Sequence, residues 1–196
     1  MKNVLTIDVE DWYHTADPNL DANRWHEYES RVEYGVNNIL EVLSTKNVRA
    51  TFFILGYIAK EKPHIVRKIS ELGHEIGSHG YWHRMVSLQS VTEFKEEVEA
   101  SKALLEDITC KKVRLFRAPS WSIGAKSLWA LDIIEELGFT CDSSIQPFVT
   151  PLSGMRGAPT FPFYPVINGR RLGIIEVPST VLKVGGLHVP FSGGLY

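Results

Sequence analysis

Glu75-Ile76-Gly77-Ser78-His79-Gly80-Tyr81-Trp82-His83 is the stretch on which the reading of this chain turns. A short strand-like run, Glu75–Ser78, gives way to two imidazoles four positions apart. If residues 79–83 open a helical turn, side chains at i and i+4 share one face and can grip a single ion. Neutral imidazole is the commonest protein ligand for a divalent transition metal. Gly77 and Gly80 leave room for close backbone approach at the same place. His74 precedes the strand, so it falls towards the opposite end, where a structural role is expected. His14, His26 and His64 have no partner at ligand spacing and are read as surface residues.

Outward from this stretch, strand and helix patterns alternate. Upstream, Val4–Ile7 reads as a buried strand, Arg31–Ser44 as a helix with apolar residues at Val32, Val36, Ile39, Leu40 and Leu43, and Ala50–Leu55 as a strand. Pro63 starts a helix that runs to about Leu72 and ends at Gly73. Downstream, Thr92 with Glu93 and Glu96 predicts a capped helix to about Glu106. Val113–Phe116 is a strand, Lys126–Leu137 a helix closed by Gly138, and Phe139–Cys141 a further strand. This alternation predicts an α/β fold of parallel strands joined by right-handed crossovers. Residues 147–171, with five prolines, read as a long irregular excursion, and Leu172–Val177 as one more strand. No linker or solenoid repeat divides the chain, so a single domain over residues 1–196 is expected.

Asp8, His79, Arg117 and Asp142 each fall just past a strand's C-terminal end, the rim where a parallel barrel gathers its active site. Asp8, Glu10 and Asp11 are three carboxylates within four residues, and they repel one another more as water is excluded. A metal or an arginine relieves that repulsion. One of the carboxylates can act as general base and another can complete a His-His-carboxylate set, the donor group of a hydrolytic metal site. Arg117 could orient Asp8 and hold its pKa down. Trp121 either packs in a core or offers the flat face that sugars stack against, with Pro119 beside it. Asp142 either supports the site as an acid or caps a helix.

Composition narrows the partners. The chain has 196 residues, 44% of them hydrophobic, enough for a substantial core. Its formal charge of −2 and pI near 6.4 provide no field that favours nucleic acid or an anionic membrane. Cys110 and Cys141 fit no metal spacing and read as free thiols of a reducing compartment. The apolar start Val4–Ile7 is too short for a signal peptide, and no run is long enough for a membrane span. The cytoplasm is the expected location. The edge-exposing end at Tyr196 makes a homodimer a candidate.

Together, Thr6-Ile7-Asp8-Val9-Glu10-Asp11-Trp12, Thr51-Phe52-Phe53, Gly73–His79 with His83, Arg117-Ala118-Pro119 and Asp142-Ser143-Ser144 resemble the NodB-homology polysaccharide deacetylases of carbohydrate esterase family 4. The first motif is most similar to the branch associated with exopolysaccharide biosynthesis. The resemblance implies a distorted (β/α) barrel, incomplete and truncated at the C-terminus in this chain, and metal-dependent removal of acetyl groups from sugars. In that scheme Asp8 matches the base, His79 and His83 the metal ligands, and Arg117 the residue tuning the base. Where the family carries two adjacent aspartates, Val9 follows Asp8 here. The metal carboxylate is therefore Glu10 if the strand continues, or Asp11 if the backbone turns. For the family's late histidine, the general acid, the candidate is His188. The implied cofactor is a divalent metal, zinc first, with cobalt, nickel, iron or manganese as alternatives. The implied partner is an acetylated oligo- or polysaccharide. Opening of a cyclic amide or ureide on the same barrel, or carbohydrate binding without turnover, are the alternative functions.

Overall fold

Ala50-Thr51-Phe52-Phe53-Ile54-Leu55 is buried throughout, on both of its faces. A strand of this kind must be covered on both sides and flanked by parallel neighbours. A computed structural model of the chain describes residues 4–15, 20–150 and 153–191, apart from the side chains of 187 and 188. Two compact units emerge, residues 1–84 with 96–113 and residues 85–95 with 114–196.

In the first unit β1 (Thr6–Val9), β2 (Thr51–Ile54) and β3 (Glu75–Ser78) are parallel. Asp8 pairs with Phe53, and Phe53 in turn with Gly77. The helices are α1 (Val32–Thr45), α2 (Gly56–Glu61), α3 (Pro63–Glu71) and, from Glu96 onward, α4 (Val91–Thr109). α1 buries Val32, Val36, Leu40 and Leu43, a stripe at helical spacing. Gly73, at φ 80°, closes α3 in the left-handed conformation open to glycine.

In the second unit β4 (Leu115–Phe116), β5 (Cys141–Asp142) and β8 (Ile175–Glu176) are parallel, with α5 (Trp129–Glu136) between β4 and β5 in sequence. Two antiparallel hairpins add β6 (Val166–Ile167) to β7 (Arg170–Arg171), and β9 (Val181–Val184) to β10 (Leu187–Pro190). Phe94, Phe116, Phe139 and Trp129 meet edge to face at centroid distances of 5.5–6.0 Å. The fold is α/β, with mostly parallel strands alternating with helices. Among the described residues no helix is long and apolar enough to cross a membrane.

Four expectations are corrected here. The first strand lies two residues later than read, so Asp8 is a strand residue rather than one past its end. α2 was missed, because its six residues are too short to show a period. α4 is capped by Ser90 instead of Thr92: the Ser90 hydroxyl and amide donate to Glu93 at 2.6 and 2.9 Å, and the Glu93 amide donates back at 3.3 Å. The excursion at 147–171 contains the β6–β7 hairpin, turned by Asn168-Gly169 at φ 50° and 79°.

Candidate metal site and its surroundings

β1 and β3 run parallel, so the residues that follow them leave the same end of the sheet. Glu10 follows β1 and His79 follows β3. Residues 79–83 do not form the helical turn that the spacing allowed. Gly80 and His83 take left-handed φ values of 72° and 53°, and the chain loops back on itself. The two imidazoles meet through this loop, their centroids 5.4 Å apart.

Three neighbours fix the loop. The His79 amide donates to Ile54 O at 3.0 Å, extending the β2–β3 ladder. The amides of Gly56 and Tyr57, otherwise orphan donors at the start of α2, donate to Gly80 O and Tyr81 O at 2.9 and 3.1 Å. A Cβ on Gly56 would run into the Tyr81 ring. Glu97 of α4, buried, accepts the Tyr81 and Trp82 amides at 3.0 and 2.8 Å through one oxygen and Arg84 Nε at 3.1 Å through the other. Glu97 was missed from sequence, yet it sits on the buried stripe Phe94, Val98, Ser101, Leu105, where an acid needs partners.

The result is a cluster of donors. Glu10 Oε2 stands 2.7 Å from His83 Nε2 and 3.8 Å from His79 Nε2, and one ligand atom from each of the three residues lies within 4.8 Å of the others. His79 and His83 are 1% and 8% exposed, and Glu10 is half-buried. Despite the close approach, Glu10 Oε2 is buried without a hydrogen-bond partner, as is His83 Nδ1. Two imidazole nitrogens and a carboxylate oxygen crowded on one point suit a cation, and they are a fitting donor set for one. Asp8 stands beside the cluster, its Oδ2 4.0 Å from His79 Nε2.

Asp11 does not join these donors. Its oxygens accept the Ser30 hydroxyl at 2.6 Å and the Arg31 amide at 2.7 Å, which ties the first strand's exit to the start of α1. The backbone does turn after Glu10, and the turn carries Asp11 away. His14 is corrected too: far from surface, it is 2% exposed and packed against Trp25 and Tyr57 at 4.2 and 5.4 Å. Its Nδ1 accepts the Asp11 amide at 2.9 Å, so the neutral ring carries its proton on Nε2. Burial lowers its pKa to about 4, against the opposing charges of Asp11 and Glu10. His74 is structural as read: it accepts the Ala50 amide at 3.2 Å and packs edge-on to Phe52. His64 is exposed beside Glu33.

The other candidates lie in the second unit. Arg117, buried, donates from Nε to Ser143 O at 3.1 Å and from Nη2 to Ser143 Oγ at 2.9 Å, and lies 5.4 Å from the Trp121 ring. Pro119 is buried and Trp121 half-buried, its Nε1 without a partner. Asp142 is the last residue of β5 and caps no helix. It accepts the Ser144 hydroxyl at 2.5 Å, and that hydroxyl accepts the Ala118 amide at 2.8 Å. Glu176 of β8, absent from the sequence reading, pairs with Asp142 in register. Burial raises the pKa of both carboxyls. The backbone of His188 belongs to β10, and its side chain is outside the described residues.

Parallel α/β strands that deliver two imidazoles and a carboxylate to one end define a class of fold, and comparison with known proteins gives the family. The chain belongs to the polysaccharide deacetylase family, whose profile matches residues 28–141, as the motifs had suggested. A domain of unknown function matches residues 143–196. A peptidoglycan-N-acetylglucosamine deacetylase of Bacillus cereus is 28% identical over 117 residues, 54% of this chain and 42% of that protein. A chitooligosaccharide deacetylase of Azorhizobium caulinodans is 34% identical over 51% of this chain and 47% of its own length. The chain thus spans less than half the length of these curated relatives. A crystallised Mycobacterium smegmatis protein assigned to the polysaccharide deacetylases superposes with a TM-score of 0.69 at 28% identity, covering 90% of this chain and 58% of that one.

Proposed function

We propose that this chain is a metal-dependent hydrolase that removes acetyl groups from N-acetylated sugar units of a polysaccharide or its precursor. The convergence of Glu10, His79 and His83 beside Asp8 is the observation that carries the reading. Zinc is the first ion expected for this donor set, and cobalt, nickel, iron and manganese meet the same donors. When bound, the ion supplies Lewis acidity towards an acetyl carbonyl and a water acidic enough to be used near neutral pH.

The chain's own groups do the rest. Asp8, half-buried at the strand mouth, is the base that takes the attacking water's proton. Glu97 and the α2 amides hold the imidazoles in place without meeting the substrate. A cavity of about 540 Å³ in the same unit is lined by Tyr57 and Trp82, which offer flat faces, and by Asn23, His26, Glu61 and Arg84, which offer hydroxyl partners. That lining suits a pyranose. N-acetylglucosamine units are supported by the name of the Bacillus cereus relative, and an exopolysaccharide by the motif Thr6–Trp12.

His79→Ala and His83→Ala test the reading. Each is expected to lose bound metal and to cut acetate release from an N-acetylglucosamine oligosaccharide by roughly a hundredfold or more. Full metal content with an unchanged rate would refute it.

A further inference from the structure

Glu176 and Asp142 face each other where β8 pairs with β5, and both are 0% exposed. One oxygen of each is occupied: Glu176 Oε1 accepts the Ile145 amide at 3.0 Å, and Asp142 Oδ1 accepts the Ser144 hydroxyl at 2.5 Å. Asp142 Oδ2 and Glu176 Oε2 are buried and find no donor. As partners in parallel register, the two side chains leave the same face of the sheet as immediate neighbours. Two ionised carboxylates in a dry site repel strongly, whereas a proton on one makes its oxygen a donor to the other and pairs both orphans.

We propose that Asp142 and Glu176 share a single proton, and that Glu176 thereby acts as a positioning residue for Arg117. The pair pins Ser143–Ile145 from both sides, and Arg117 is seated on that segment through the carbonyl and hydroxyl of Ser143. The Ser143 hydroxyl in turn donates to Val177 O at 2.8 Å, next to Glu176 in sequence. The charged groups that act on Glu176 are Asp142 across the strand pair and Arg117. Burial and the Asp142 charge both favour the protonated form of Glu176, and Arg117 opposes them. The positioning half rests on the hydrolase reading, in which the family resemblance gives Arg117 a part, while the shared proton stands without it.

The test compares the wild-type chain with Glu176→Gln and Glu176→Ala by urea unfolding from pH 5 to 9 and by acetate release over the same range. A folded state that keeps a proton the unfolded state has lost is destabilised as pH rises. The wild-type unfolding constant, divided by that of E176Q, is therefore expected to climb by up to tenfold per pH unit above about pH 5. E176Q, which keeps the shape and a donor, retains kcat within about threefold, and E176A loses at least tenfold in kcat with KM little changed. A flat ratio between wild type and E176Q overturns the shared proton, and an E176A chain with wild-type kcat overturns the positioning role. A wild-type chain that releases no acetate overturns the positioning role together with the hydrolase reading, and the unfolding ratio still decides the proton.

Discussion

Glu10 and Asp11 are neighbours of the same charge, yet the structure gives them opposite tasks. Glu10 faces two imidazoles with an oxygen that lacks a donor, whereas Asp11 is saturated by Ser30 and Arg31. Exchanging each for its amide separates the two. Glu10→Gln is expected to lower metal affinity by at least tenfold with little change in the stability of the metal-free chain, because it removes the ligand charge. Asp11→Asn is expected to keep the metal and cost about 1–3 kcal/mol, the worth of charged hydrogen bonds at the start of α1. Metal titration and urea unfolding of both variants check this. The residue types were legible in the sequence, but not their division of labour. Which of two adjacent carboxylates turns inward depends on where β1 stops, and strand ends are the least local feature of a sheet.

Among the elements, the loop 79–83 depends on α4 as much as on its own strand. Glu97 accepts two loop amides and Arg84 Nε. Glu97→Ala leaves the Tyr81 and Trp82 amides without their acceptor, and is expected to cost on the order of 2 kcal/mol in urea unfolding. Metal affinity is expected to fall at least tenfold as His83 loosens. A variant with wild-type stability and affinity would show that the loop holds itself. The alternation of strands and helices could be read directly, since β2 is β-branched and aromatic and α1 carries a clean helical stripe. Other elements gave weaker signals. The imidazole pair obeys helical spacing in sequence but is brought together by positive φ values at Gly80 and His83, which spacing does not encode. The two late hairpins had signals that went unused, Asn168-Gly169 and Gly185-Gly186, both pairs with positive φ.

For the chain as a whole, buried titratable groups set the pH range of stability. His14 has its folded pKa at about 4, below its ordinary 6.5, so it binds fewer protons folded than unfolded. Its contribution is therefore present above pH 6.5 and lost as pH falls from 6.5 to 4, by at most about 3 kcal/mol. Asp142 and Glu176 are shifted upward and have the opposite sign, costing stability as pH rises. A stability maximum on the acid side of neutrality is expected, and His14→Gln should flatten the acid limb alone when unfolding is followed against pH. None of this was legible, because burial of a polar side chain is a property of the packed chain and not of its neighbours in sequence. The donors for the ion come from segments about seventy residues apart, one leaving β1 and the other β3. An ion held between them would be a clasp across a long loop as well as a reagent. Chelation would then loosen the first unit's architecture in the same stroke that silences it, and supply of the metal would govern how much of the chain survives in its working shape.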